Sequence, residues 1–90
     1  MSFTKKDTLV LGEKLLNELY RESKGDESFN ISIDYLYKMV CAADYLHVNY
    51  TDSNDLKKSV VELLEGQGFI KMDGEKTWIT DRGKRHVKGM

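Results

Sequence analysis

Cys41 is the one thiol of this sequence and His47 and His86 its two imidazoles, the types best suited to serve as nucleophile, base or ligand near neutral pH. A nucleophile needs a base within hydrogen-bond reach, and neither histidine stands at a spacing from Cys41 that suggests such a pair. Zinc needs cysteine and histidine in short clusters, and a lone cysteine without a Cys-x-x-Cys supplies none. Cys41 therefore reads as a small buried hydrophobe. The expectation is a protein that is not an enzyme and holds no metal or cofactor.

Charge carries the other chemical signal. The formal net charge is −1, which is unpromising for phosphate recognition until its distribution is considered. From residue 71 to 90 there are six basic residues, Lys71, Lys76, Arg82, Lys84, Arg85 and Lys88, against three acids, a net +3. From residue 25 to 55 there are six acids against Lys38 alone, a net −5. Any phosphate contact is expected from the C-terminal stretch and not from the middle of the chain.

Those cations must be positioned by the elements around them. Leu56, Val60, Leu63 and Leu64 recur at helical spacing, with Val61 at the margin, and predict a helix that Gly66 and Gly68 end. Phe69 to Met72 and Lys76 to Ile79 flank Asp73-Gly74-Glu75, and Asp-Gly between two strand-like runs predicts a hairpin. Thr80 and Asp81 offer oxygens to cap a following turn.

Helix, then "LEGQGFI", then hairpin, then "WITDRGK" resembles the winged helix-turn-helix domains of small prokaryotic transcription regulators. Leu64, Gly68, Phe69, Ile70, Ile79, Thr80 and Gly83 stand at the family's marker positions. The resemblance implies an α+β fold: a three-helix core with a C-terminal β-hairpin wing, in the order helix, strand, helix, helix, strand, strand. At most one turn should follow the hairpin. It also implies duplex DNA as the partner, read in the major groove by the third helix. On a helix from Asp52 to Glu65 the residues opposite the core stripe are Ser53, Asn54, Lys57, Lys58 and Glu62. Asparagine pairs with adenine, and lysine with guanine or phosphate. Lys71 and Lys76 flank the wing's turn, and Arg82, Lys84 and Arg85 follow it, where wings track the backbone or minor groove. Trp78 is expected to pack on Phe29 and Tyr20.

The rest of the chain supplies the core. Leu11, Leu15, Leu16, Leu19 and Tyr20 form one helical stripe, which Leu9 and Val10 widen. A turn that is apolar nearly all round must be buried twice, which makes Leu9 and Val10 a candidate homodimer contact. Lys24-Gly25-Asp26-Glu27 breaks the helix, and Phe29-Asn30-Ile31 alternates as a short strand would. Ser32 caps the next helix, with Asp34 favourably near its positive end. Two stripes overlap there, Ile33-Leu36-Tyr37-Val40 and Tyr35-Met39-Ala42-Leu46, predicting a helix clasped between others. His47-Val48-Asn49-Tyr50 carries the turn, and Asp52 is the favoured cap beyond it.

Ninety residues, 40% hydrophobic and 32% charged, fit one domain over 1–90, with 1–3 and 85–90 frayed. A single cysteine suits a reducing cytoplasm. The N-terminal stretch has no apolar run long enough for a signal peptide and no window approaches the ~20 apolar residues of a membrane span, so the expectation is a cytoplasmic protein. A second reading stays open, a winged-helix module that binds protein and not DNA. The acidic 25–55 segment, the apolar Leu9–Leu11 turn and Tyr35, Tyr37, Tyr45 and Tyr50 suit it.

Overall fold

The computed structural model describes residues 5–43 and 54–89. Along the chain run α1 (Lys5–Ser23), β1 (Ile31–Ser32), α2 (Ile33–Ala43), α3 (Asn54–Gly66), β2 (Ile70–Asp73), β3 (Lys76–Ile79) and α4 (Asp81–Lys88). The class is α+β, with four helices and a three-stranded antiparallel sheet in the order β1-β3-β2. Helix, helix, helix, hairpin is the expected order. The fourth helix was not expected.

The helices form around alternating leucine turns. Leu11, Leu15, Leu16 and Leu19 of α1 are fully buried, and α1 packs against α2 and α3. On α3, Leu56, Val60 and Leu64 are buried at i, i+4 and i+8. Each such side chain contributes about 1.5–3 kcal/mol relative to exposure. From α2 come Ile33, Leu36, Tyr37, Val40 and Cys41, and Ile70 and Ile79 close the core from the sheet.

Local chemistry sets where elements stop. Ser23 ends α1, its hydroxyl donating to the Tyr20 carbonyl (3.1 Å) and accepting from the Gly25 amide (3.2 Å). At the end of α3 the Phe69 amide donates to the Leu64 carbonyl and the Gly68 amide to the Glu65 carbonyl, both at 3.0 Å. That pair of bonds is the Schellman closure, with Gly68 as its left-handed residue at φ +77. The hairpin turns at Gly74, φ +60, and pairs Ile70 with Ile79, Lys71 with Trp78, Met72 with Thr77 and Asp73 with Lys76. On the other side of β3, Ile31 pairs with Thr77 and Ser32 with Lys76.

Several sequence expectations are corrected. Of the stretch 85–90 expected to fray, residues 85–88 belong to helix α4, whose cause lies in its first turn and its contacts, described below. The strand expected at Phe29-Asn30-Ile31 begins at Ile31. Asp26 holds residues 26–29 in a turn instead, its carboxylate accepting from the Ser28 amide (2.9 Å) and hydroxyl (2.7 Å). Those same bonds keep the Asp26 carboxyl below its ordinary pKa. Among the described residues helix α2 is not clasped on both sides: Tyr35 is 59% exposed and Lys38 is exposed. Of the second stripe, Met39 alone among the described side chains is half-buried. Leu46, the His47–Tyr50 turn, and the caps considered at Asp52 and Ser53 lie outside the described residues. Among the described residues no helix is long and apolar enough to cross a membrane, and no group of three or more Asp, Glu, His or Cys could hold a metal ion.

Candidate nucleic-acid interface

Two contacts, one between backbones and one between side chains, tie the hairpin turn and α3 to the start of α2. The Ile33 amide donates to the Glu75 carbonyl (2.8 Å), tying the hairpin turn to the start of α2. One residue on, the Asp34 carboxylate binds the Lys57 ammonium of α3. Through α2 the start of β3 and the first turns of α3 therefore share one edge. Lys76 is the first residue of β3, and Asn54, Lys57 and Lys58 lie on the first two turns of α3. Ser53 lies outside the described residues.

The cations differ in what they have free to offer. Lys57 is half-buried and engaged by Asp34. The hydrogen bond from Lys57, then its charge, holds the Asp34 carboxyl below its usual range. Lys58, Lys76 and Asn54 are exposed. Tyr35, three residues on from Ser32, stands exposed near the start of α2, its amide capped by the Ser32 hydroxyl at 3.4 Å. Its place in an apolar stripe concealed it from sequence reasoning. The later turns of α3 are acidic on the outside, with Glu62 and Glu65 exposed.

A second group surrounds the base of the hairpin. Lys71 and Trp78 are cross-strand partners and project from the same face of the sheet. The Lys71 ammonium lies 5.7 Å from the Trp78 ring centroid, a cation–π approach. A cleft of about 340 Å³ runs past Lys71, Trp78 and Thr80 to Glu27. At its rim Lys84 pairs with Glu27 at 2.8 Å, and that hydrogen bond raises the Lys84 pKa. Arg85 pairs with Asp81 one turn earlier, at 2.8 Å, both well exposed. Arg82 is exposed and has no carboxylate partner among the described residues.

What holds this second group in place is the T-x-x-G of "WITDRGK". The Thr80 amide donates to the Phe69 carbonyl (3.1 Å). The Thr80 hydroxyl donates to the Gly68 carbonyl (2.6 Å) and accepts from the Gly83 amide (3.0 Å). Thr80 is thus the N-cap of α4 and the clasp between α3's end and α4's beginning. Farther along α4, the His86 ring stacks on Phe69, centroids 4.4 Å apart and planes 22° apart. Its Nε2 meets the Glu13 carboxylate of α1 at 2.8 Å. These contacts make a helix of residues that alone would be a polar tail.

Of the nine residues expected at a DNA interface, the structure sets Asn54, Lys57 and Lys58 on the first two turns of α3, where Lys57 reaches Asp34 of α2, and Lys76 at the start of β3. It sets Lys71, Arg82, Lys84 and Arg85 around the hairpin's base, and Ser53 is not described. Lys57, Lys84 and Arg85 carry acidic partners; Lys58, Lys71, Lys76 and Arg82 carry none among the described residues. Such a surface can neutralise phosphates at a few points and stack on one indole, and its unpaired charge is modest. No protein-family model, no curated protein and no solved structure matches the chain, so its function has to be argued from this geometry.

Proposed function

We propose that the chain is a small DNA-binding transcription regulator of winged-helix type, acting by occupying duplex DNA and without catalysis. The observation that carries the reading is the shared edge made by the Glu75–Ile33 and Asp34–Lys57 contacts, which sets the hairpin beside the first turns of α3. Asn54 and Lys58 then meet base edges in the major groove, where asparagine suits adenine and lysine suits guanine. Lys76, Lys71 and Arg82 follow the phosphates on either side.

With four unpaired cations the salt dependence has an expected size. Each neutralised phosphate adds about −0.9 to the slope of log K against log salt, so the slope should lie near −3 to −4. Titration of a duplex at several salt concentrations measures it. Lys58→Ala, Lys71→Ala and Lys76→Ala should each reduce it by about 1. A flat salt response, or variants that bind like the parent, would overturn the reading.

The acidic outer face of α3, at Glu62 and Glu65, favours a second reading, a winged-helix module that binds a basic protein segment. That reading expects salt-sensitive capture of a lysine-rich peptide, lost in Glu62→Lys and Glu65→Lys, with no duplex binding.

A further inference from the structure

The outer face of the sheet carries the chain's one tryptophan. On β3, Thr77 and Ile79 are buried, and Trp78 between them points to the opposite side because successive side chains of a strand alternate. Trp78 is half-buried there and takes no part in the core. It shares its cleft of about 340 Å³ with Lys71, Glu27 and Thr80.

These neighbours differ in what they can still bind. Lys71 is exposed, reaches no carboxylate among the described residues, and rests its ammonium 5.7 Å from the indole centroid. The Glu27 carboxylate meets the Lys84 ammonium through Oε2 at 2.8 Å. A carboxylate has about four acceptor sites, so others remain. The Thr80 hydroxyl is committed, donating to the Gly68 carbonyl and accepting from the Gly83 amide. Polar contacts to a ligand therefore fall to Lys71 and Glu27.

Charge narrows the ligand. Lys84 balances Glu27, so the excess at the cleft is the single positive charge of Lys71. A fitting molecule is flat, to lie on the indole; it is anionic at one end, for Lys71, and a hydrogen-bond donor at the other, for Glu27. A nucleotide whose base bears an exocyclic amine has all three features, and a carboxylate accepts from the cytosine N4 amine in this way. Within a duplex each ring face is covered by its neighbours in the stack, so only an unpaired base can offer one.

We propose that the Trp78 cleft binds an unpaired cytosine or adenine of single-stranded DNA. The base stacks on the indole, its amine donates to Glu27, and its phosphate lies on Lys71. The ammonium already beside the ring does not obstruct this. Cation–π attraction at an exposed lysine is weak, and a phosphate oxygen is a stronger partner for the same ammonium. Arg82, the other exposed cation without a carboxylate partner at the hairpin's base, gives a second phosphate its counter-charge, which favours a strand over a free nucleotide. The inference goes beyond the duplex reading and stands without it. Trp78 and Glu27 take no part in that reading, so variants of these two residues test the new site alone.

Anisotropy of short labelled oligo(dC) and oligo(dT), with the whole chain at low ionic strength, reads the binding. Saturating oligo(dC) should quench the Trp78 emission. Oligo(dC) should bind about fivefold more tightly than oligo(dT), the worth of one hydrogen bond. Trp78→Leu should weaken oligo(dC) binding by about five- to a hundredfold, the range for one stacked base. Glu27→Ala should bring the two oligomers to equal affinity. Free dCMP should compete only well above the oligomer's concentration, and competition at equal concentration would overturn the strand as occupant. Duplex binding, titrated separately, should persist in Trp78→Leu; its loss together with oligo(dC) binding would overturn a distinct site. An unquenched indole, a Trp78→Leu variant that binds oligo(dC) like the parent, or a preference undiminished in Glu27→Ala would each overturn the proposal. If Trp78→Leu does not fold, the quenching and the Glu27→Ala preference, read at an exposed residue, carry the test.

Discussion

Gly83 lies so close to Phe69 that a β-carbon on it would overlap the Phe69 carbonyl oxygen, and would also meet Ile79 Cγ1 at 3.1 Å. Backbone cannot yield as a side chain can, so Gly83→Ala should destabilise by about 1–3 kcal/mol, the range for overpacking. For a domain of this size that lowers Tm by roughly 4–8 °C per kcal/mol. Gly66→Ala is the control: nothing lies within 4 Å of its β-carbon position, so the exchange should be neutral or raise stability by up to about 1 kcal/mol. Thermal denaturation followed by circular dichroism compares the two.

Thr80 joins three segments through one hydroxyl. Thr80→Val keeps the shape and loses both bonds, leaving the Gly83 amide uncapped, and should cost about 1–2 kcal/mol. Thr80→Ser keeps the oxygen and should lose little. A loss in Thr80→Ser with none in Thr80→Val, by urea denaturation, would show that the methyl group and not the hydroxyl matters.

Asp34 links stability to pH in a fixed direction. Its carboxyl is held below the ordinary aspartate value of 3.8, first by the Lys57 hydrogen bond. A depressed folded pKa contributes stability that is present above the unfolded value and is lost as pH falls through the folded one. Because the pair is partly exposed, at 26% and 41% for the two side chains, Asp34→Asn should cost no more than about 1 kcal/mol at neutral pH. The cost should vanish in acid. The same substitution frees Lys57, so duplex binding should tighten and its salt slope steepen by about 1.

Trp78 is the chain's one tryptophan, which gives the hairpin its own optical reporter. Lys71→Met removes the ammonium 5.7 Å from the ring centroid and should alter the emission spectrum while costing about 0.5–1 kcal/mol at most. In the parent, duplex binding through Lys71 should alter the same emission. Unchanged fluorescence at saturating duplex would remove Lys71 from the interface.

Legibility followed how local each determinant is. The Asp73-Gly74 turn and the strand Lys76–Ile79 were readable because a hairpin of this length is fixed by neighbouring residues. The α3 stripe and its stop at Gly68 were readable for the same reason. Helix α4 was not, since Asp81–Lys88 contains a single aliphatic residue, Val87. It is a helix because of Thr80, the close approach at Gly83, and a ring stack and carboxylate contact reached across the fold. The candidate site divides similarly. Asn54, Lys58 and Lys76 were assigned by position on their elements and sit exposed. The engagement of Lys57 by a residue 23 positions away left no trace in the sequence. The Asp81–Arg85 pair, one turn apart, could have been read from spacing alone. Tyr35 was misjudged because period alone cannot say that one side of α2 lacks a neighbour among the described residues.

Both legs of the hairpin leave from a single seam, where the Thr80 amide meets the Phe69 carbonyl and the Thr80 hydroxyl meets the Gly68 carbonyl. An arm fixed that way at its root, and tied near its turn by the Ile33–Glu75 bond, behaves as a beam held at both ends. It has no hinge at its root, so displacement of its tip must be distributed along the strands as twist. Its aim is inherited from the helices it is riveted to. The amides of Thr80 and Gly83 should accordingly exchange with solvent in one cooperative opening with those at the end of α3, rather than earlier and on their own.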